Sequence, residues 1–279
     1  MEFSLVVPVA PYRNAEILTS ISELDFPKEN YEIIIEKGTN ASENRNRGSE
    51  KSNGEIIVFL DDDAIVHKDL LKNADKFFKE HSEVDIVGGP QLTPLDERGF
   101  AKISGYALSS KFGGWNASNR YGRKKLNLDA DDTYLTSAIM FCKRKVMKEV
   151  KFDLNLWPGE DSKLVVEAKN KGFKVAYCPD LIIYHRRRPT PMALVKQMFN
   201  YGRVGPLRES FSETIKRPFF LFPSIFLIYL LLLPFILIVM TSLFNNSLTP
   251  FLSCLPLFLY LILDLIFSVY ESIKNKDVR

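Results

Sequence analysis

From Pro218 to Leu263 the chain runs for 46 residues without an Asp, Glu, Lys, Arg or His. In a chain that is 25% Asp, Glu, Lys and Arg, chance opens such a gap at a given position with a probability on the order of 10⁻⁶. The gap contains two apolar segments, at 219–240 and 248–267. Each has about the 20 residues that a helix needs to cross a bilayer. Both are apolar around the whole helix rather than along one stripe, which separates them from the amphipathic helices of a soluble core. The competing reading is a buried helical hairpin of a soluble protein. Thr241-Ser242 and Asn245-Asn246-Ser247 supply a polar turn between the segments. Pro234 is tolerable in a membrane helix and allows a kink.

The flanks set an expected orientation. Lys216 and Arg217 precede the first span, Lys274, Lys276 and Arg279 follow the second, and the loop between has no cation. The positive-inside rule then puts the head and both chain ends in the cytoplasm of a two-span protein of the cell membrane. Asp264 falls near the cytoplasmic end of the second span, within reach of headgroups. The opening MEFSLVVPVAPYR lacks the basic start and long apolar run of a signal peptide. A net charge of +3 excludes a strongly basic nucleic-acid binder, so no nucleic acid is expected as a partner. Cys142, Cys178 and Cys254 form neither an even disulfide set nor a metal-type spacing. The sequons at Asn40, Asn116 and Asn245 are read as chance, two being cytosolic and one against the membrane on this topology.

Residues 1–185 alternate short β-rich runs with helix-like stretches. Strands are expected at 4–9, 31–35, 55–60, 84–87, 137–142 and 174–177, and helices at 14–24, 41–51, 69–81, 143–150 and 161–171. Continuous apolar runs such as IIVFL imply burial on both faces, hence an α/β fold with a mostly parallel sheet under helices. Ligands of such sheets sit beyond the carboxyl ends of the strands.

Three places after strands carry chemistry. EIIVFL runs into Asp61-Asp62-Asp63, which repel unless a cation or hydrogen bonds neutralise them. In an extended segment Asp61 and Asp63 point the same way and can share a hard metal such as Mg or Mn; a solvated acidic turn is the alternative. Trp157-Pro158-Gly159-Glu160-Asp161 precedes an amphipathic stretch. Its carboxylates can favour a helix dipole or hold a general base, with Trp157 as a flat wall for a sugar or lipid. His185-Arg186-Arg187-Arg188 follows the strand-like 181–184. Three consecutive Arg are costly to bury and are expected to face water, phosphate or headgroups. Residues 191–201 then read as a helix lying in the interface through Met192, Leu194, Val195, Met198 and Phe199, or as a plain linker.

In this order the features resemble the family 2 glycosyltransferases of the GT-A fold, which are inverting, nucleotide-sugar-dependent enzymes. The resemblance covers about residues 3–205 and rests on SLVVPVAPYRNAEILTSISELDFPKENYEIIIEKG, NRNRGSEKSNGEIIVFLDDDA and GEDSKLVVEAKNKGFKVAYCPDLIIYHRRRP. It implies a Rossmann-like sheet with helices on both faces, followed by the membrane hairpin. Pro8, Ala10 and Arg13 would lie at the nucleotide loop, and Glu36 would accept hydrogen bonds from the base. Arg45 and Asn46 would line the nucleotide or sugar side. Asp61 and Asp62 would approach the nucleotide sugar, and Asp63, with Asp61 and His185, would hold a divalent Mn or Mg. Asp161 would be the base, beside Glu160. Arg186, Arg187, Arg188, Trp157, Gln197 and Arg203 would serve the diphosphate or the acceptor. KQMFNYGR resembles the family's Q-x-x-R-W element, but Asn200 and Tyr201 replace Arg and Trp, which speaks against processivity.

The implied organisation is a catalytic domain at 1–189, an amphipathic interfacial segment at 190–215, and a membrane hairpin with a cytosolic tail at 216–279. The implied activity is transfer from a uridine- or guanosine-type nucleoside-diphosphate sugar to a lipid-linked or cell-surface glycan at the bilayer. A polyprenyl-phosphate sugar synthase and a silent nucleotide-sugar-binding module are the rivals. The Gly- and aromatic-rich stretch SSKFGGWNASNRYGRKK, within 88–136, reads as a mobile acceptor loop.

Overall fold

The structure, a computed structural model, describes residues 1–208, 221–244 and 248–275. Strands are β1 Phe3–Val9, β2 Tyr31–Lys37, β3 Ile56–Leu60, β4 Ala64–Val66, β5 Ile86–Gly88, β6 Gln91–Leu92, β7 Ile139–Lys143, β8 Val175–Tyr177 and β9 Ile183–His185. Helices are α1 Ile17–Ser22, α2 Ala41–Lys51, α3 Leu70–Glu80, α4 Gly99–Ser109, α5 Lys111–Gly114, α6 Ser118–Tyr121, α7 Arg144–Glu149, α8 Glu160–Asn170, α9 Pro191–Arg208, α10 Phe222–Leu243 and α11 Leu248–Lys274. Met1–Arg208 is one compact unit, and a second holds the two apolar helices.

The main sheet has the order β2-β1-β3-β7-β5-β8. β1 is parallel to β2 and β3, β5 is parallel to β8, and only β7 runs the other way. The apolar runs predicted this burial. All seven residues of β1 are buried, and the side-chain period of two divides them between two cores. Phe3, Leu5, Val7 and Val9 join α1 and α3, while Val6 joins Ile57, Phe59 and the apolar faces of α7 and α8. α2 approaches β1 closely because position 48 is Gly: a Cβ there would stand 2.3 Å from Val6 Cγ1. The parallel strands β1, β2 and β3 end on one edge, and the site is built there.

Three short strands escaped sequence reading in whole or part. β4, β9 and β6 form a second small sheet, with Ala64 opposite His185. His185 is thus the last residue of a strand rather than the residue after one. The stretch expected to be a mobile acceptor loop is instead built into α5, a 3-10 turn and α6, with α4 preceding them. Tertiary packing overrides its glycines: a Cβ at Gly113 would lie 2.4 Å from the Ala107 carbonyl oxygen, and one at Gly114 2.2 Å from that of Leu108.

α10 and α11 reach 22 and 27 residues with mean hydropathies of 2.7 and 2.2, long and apolar enough to span a bilayer. They touch through Tyr229 Oη, which donates to the Ser253 carbonyl at 2.8 Å, and through the Phe226 and Tyr260 rings. In the most apolar window of each, 6% and 0% of residues are buried. A hairpin in a soluble core would be covered, so the exposure disfavours that reading. The flanking cations Lys216, Arg217, Lys276 and Arg279 and the turn Asn245-Asn246-Ser247 lie outside the described residues.

Candidate active site

Asp61-Asp62-Asp63 leaves the end of β3 as a turn closed by the Ala64 amide on the Asp61 carbonyl, not as the extended segment expected. The turn still gathers Asp61 and Asp63, because β4 then pairs antiparallel with β9 and brings His185 to them. His185 Nε2 lies 3.2 Å from Asp63 and 3.8 Å from Asp61. One ligand atom from each of Asp61, Asp63 and His185 lies within 4.8 Å of the others. Two carboxylates and an imidazole suit a divalent ion such as Mn²⁺ or Mg²⁺. Burial works against the imidazolium, but Asp63 and then Asp61 raise His185 above its ordinary value. The cluster therefore demands positive charge.

Arg13 supplies more of it. Its guanidinium, partly exposed, meets Asp62 at 3.1 Å and Asp63 at 2.9 Å. Burial pushes Asp62 up to about 6, against the pull of Arg13. For Asp63 burial acts upward too, but His185 and Arg13 hold it well below the usual carboxylate range. Ala10 is half-buried just after β1, and Pro8 is buried within it.

The second carboxylate pair opens α8. Gly159, at φ +111°, takes the left-handed conformation that lets the chain turn into the helix. Asp161 lies in the first turn, where the Ser162 amide donates to Oδ1 at 2.7 Å and the Ser137 amide to Oδ2 at 3.4 Å. Glu160 is buried and accepts from Arg45 at 2.9 Å. The other Arg45 terminal nitrogen donates to Asp61 at 2.9 Å, and the guanidinium sits 5.5 Å from the centre of the Phe152 ring. One buried guanidinium thus joins the two acidic sites, with its Nε unpartnered. Trp157 is 63% exposed just before the pair.

Arg45 and Asn46 are both held by protein partners. Arg45 is internal, and the Asn46 amide both donates to and accepts from the Phe152 backbone, tying α2 to the loop after α7. Glu36 is buried under Lys51 at 2.6 Å and Arg47 at 3.2 Å, so its oxygens are already engaged. The Arg triplet does not uniformly face water. Arg187 is buried, donates to Thr93 Oγ1 and to the Gln91 carbonyl, and lies over Tyr121. Arg186 pairs with Asp96 at 3.0 Å, and Arg188 is exposed. Gln197 donates to Tyr201 on α9, and Arg203 is exposed further along it. Ser137, Ser162 and Arg120, which donates to Ser162 Oγ at 2.9 Å, buttress α8 without any sequence spacing that announces them.

Burial, then the charge of Asp161, push Glu160 up to about 7 against the pull of Arg45. A carboxyl whose folded value exceeds its unfolded value of 4.5 binds its proton longer in the folded chain. Stability from this group is therefore lost as pH rises from about 4.5 through 7. Glu160→Gln should flatten that part of the Tm-against-pH curve; an unchanged slope contradicts the assignment.

A mostly parallel sheet thus carries at its strand ends a carboxylate–imidazole cluster and a second carboxylate pair joined to it through Arg45. The chain belongs to the family described as Glycosyltransferase like family 2, whose model matches residues 3–202. Minor teichoic acid biosynthesis protein GgaB of Bacillus subtilis (strain 168) is 28% identical over 190 residues, 66% of this chain. The aligned part is only 18% of that longer protein. A Methanococcus voltae protein, dolichyl N-acetyl-alpha-D-glucosaminyl phosphate 3-beta-D-2,3-diacetamido-2,3-dideoxy-beta-D-glucuronosyltransferase, is 24% identical over 246 residues, covering 74% of this chain and 72% of that one. Two solved structures share the fold. S. aureus TarS 1-349 in complex with UDP-GlcNAc has a TM-score of 0.51 at 17% identity, covering 70% of this chain and 61% of that one. The mannosyltransferase PcManGT from Pyrobaculum calidifontis, in complex with GDP-Man and Mn2+, has 0.51 at 16%, covering 75% and 65%.

Proposed function

We propose that this glycosyltransferase moves a sugar, with inversion, from a uridine or guanosine diphosphate sugar to a hydroxyl of a lipid-linked or cell-surface glycan at the bilayer. The observation that carries the reading is the joining of Asp61 and Glu160 through buried Arg45, which keeps the acidic cluster and Asp161 on one scaffold. The Methanococcus relative, whose name describes a dolichyl-phosphate-linked sugar acceptor, supports an acceptor carried on lipid.

Asp61, Asp63 and His185 would hold Mn²⁺ or Mg²⁺, which when bound supplies charge neutralisation at the diphosphate. Arg13, half in solvent, is the cation of the loop after β1 that can turn from Asp62 and Asp63 toward the same phosphates. Asp161 accepts the proton of the acceptor hydroxyl, whose oxygen bonds to the anomeric carbon as the bond to the diphosphate breaks. Two backbone amides fix the Asp161 carboxylate for that role. The cations flanking the two apolar segments support a cytoplasmic head.

Purified full-length protein in lipid nanodiscs, given a panel of nucleotide sugars, should release nucleoside diphosphate from one donor class, stop with EDTA and recover with Mn²⁺. Full turnover in EDTA rejects the metal role, and release from none of the donors rejects the donor reading.

A further inference from the structure

Both oxygens of Asp161 trace back to one short helix, α6. Oδ1 accepts from the Ser162 amide at 2.7 Å, and Ser162 Oγ accepts from Arg120 at 2.9 Å. The same guanidinium donates through Nε to the Thr133 carbonyl at 3.2 Å and through Nη2 to the Asp132 carbonyl, which fixes its plane. Oδ2 accepts from the Ser137 amide at 3.4 Å. Ser137 follows Thr136, whose Oγ1 accepts from Gln91 Nε2 at 3.3 Å. The Gln91 carbonyl accepts from Arg187, and the Arg187 guanidinium lies 4.7 Å from the centre of the Tyr121 ring. Arg120 and Tyr121 are neighbours on α6. Two separate series of contacts therefore leave that helix and meet again at one carboxylate.

The residues between are internal: Gln91, Thr136, Ser137, Ser162 and Arg187 are at most 8% exposed. Bonds among buried groups are costly to leave unmade, and a close-packed interior passes displacement along. We infer that Arg120 and Tyr121 are positioning residues for sugar transfer, setting the direction of the Asp161 carboxylate through Ser162 on one side and Ser137 on the other. A proton acceptor displaced by about 1 Å from its productive place can lose on the order of a hundredfold in rate. Four residues make no stable helix alone, so α6 keeps its place by these contacts, with Asn119 adding one to Thr133 Oγ1 at 3.4 Å. The inference rests on the reading of Asp161 as base and adds what holds that base in aim.

Full-length variants in nanodiscs test it. Turnover is read as nucleoside diphosphate released from UDP-GlcNAc and GDP-mannose, donor binding by calorimetry, and the wiring by amide hydrogen exchange. Arg120→Gln and Tyr121→Leu should each lower kcat about ten- to hundredfold and leave the donor Kd within about twofold. Exchange should quicken in the peptide carrying Ser162 for the first variant and in that carrying Ser137 for the second. Arg120→Lys, which keeps a donor, and Tyr121→Phe, which keeps the ring beside Arg187, should recover part of the rate. In an Asp161→Asn background Arg120→Gln should cost nothing more, because its effect runs through the lost carboxylate. A further loss of the same size there overturns the inference, as does a parental kcat in both Arg120→Gln and Tyr121→Leu. Asp161→Asn at the parental rate removes the base reading instead. Unchanged exchange in both peptides overturns the inference whether or not either donor is turned over. If Arg120→Gln does not fold, Tyr121→Leu against Tyr121→Phe decides.

Discussion

Asp161→Asn should cut sugar transfer by at least about a hundredfold, and up to ten-thousandfold, the range a positioned proton acceptor contributes. Nucleotide-sugar binding should persist, because the amide keeps the shape of the carboxylate and the Asp61–Asp63–His185 cluster is untouched. The Ser137 and Ser162 amides that donate to Asp161 can donate equally to the Asn carbonyl oxygen, so α8 should keep its first turn. What is lost is the capacity to take a proton. Transfer rates in nanodiscs with a lipid-linked glycan acceptor, beside titration calorimetry for the donor, separate the two effects. Retained turnover sinks the base assignment. Turnover retained with polyprenyl phosphate alone moves the enzyme to the rival class, since an anionic acceptor needs little help in losing a proton.

Arg45→Met should destabilise the head by about 3–5 kcal/mol, the usual cost of removing one partner from a buried charged network. The Met side chain fills the space against Phe152 but leaves Glu160 with no cation and Asp61 with one fewer. Glu160 would then hold its proton more tightly, so the loss should grow as pH rises. The double variant Arg45→Met, Glu160→Gln should recover part of the loss, because it removes the stranded charge along with its partner. Thermal melting of all three forms in detergent provides the check. A single variant as stable as the parent would mean that the guanidinium does not join the two sites.

Fold class, most strands and the flanking helices were legible because burial on both faces writes itself as continuous apolar runs, as in β1 and β3. β4 and β6 were hidden, and β9 only partly seen, because two or three residues carry no period. The inward direction of Arg45 was hidden for another reason. α2 buries Ser42, Arg45, Gly48 and Ser49, a stripe at helical spacing made of polar and small residues, which a search for hydrophobic faces passes over. Arg187 misled through a sound generalisation. Burying an Arg is costly, but Thr93, the Gln91 carbonyl and the Tyr121 ring together offset the cost at one position. Residue order after strand ends, by contrast, is visible in a sequence, and it singles out Asp61, Asp63, Asp161 and His185 as candidates, three of which the fold gathers.

The pairing of Ala64 with His185 spans more than a hundred residues, and it delivers the third member of a cluster begun by Asp61 and Asp63. Such a high-separation contact forms late, since its loop-closure entropy must be met before it rewards the chain. A nascent or proteolysed head that ends before Ile183 therefore carries the acidic turn but neither the strand nor the imidazole that completes it. By topology alone, the three-residue cluster is complete only in a chain made through His185.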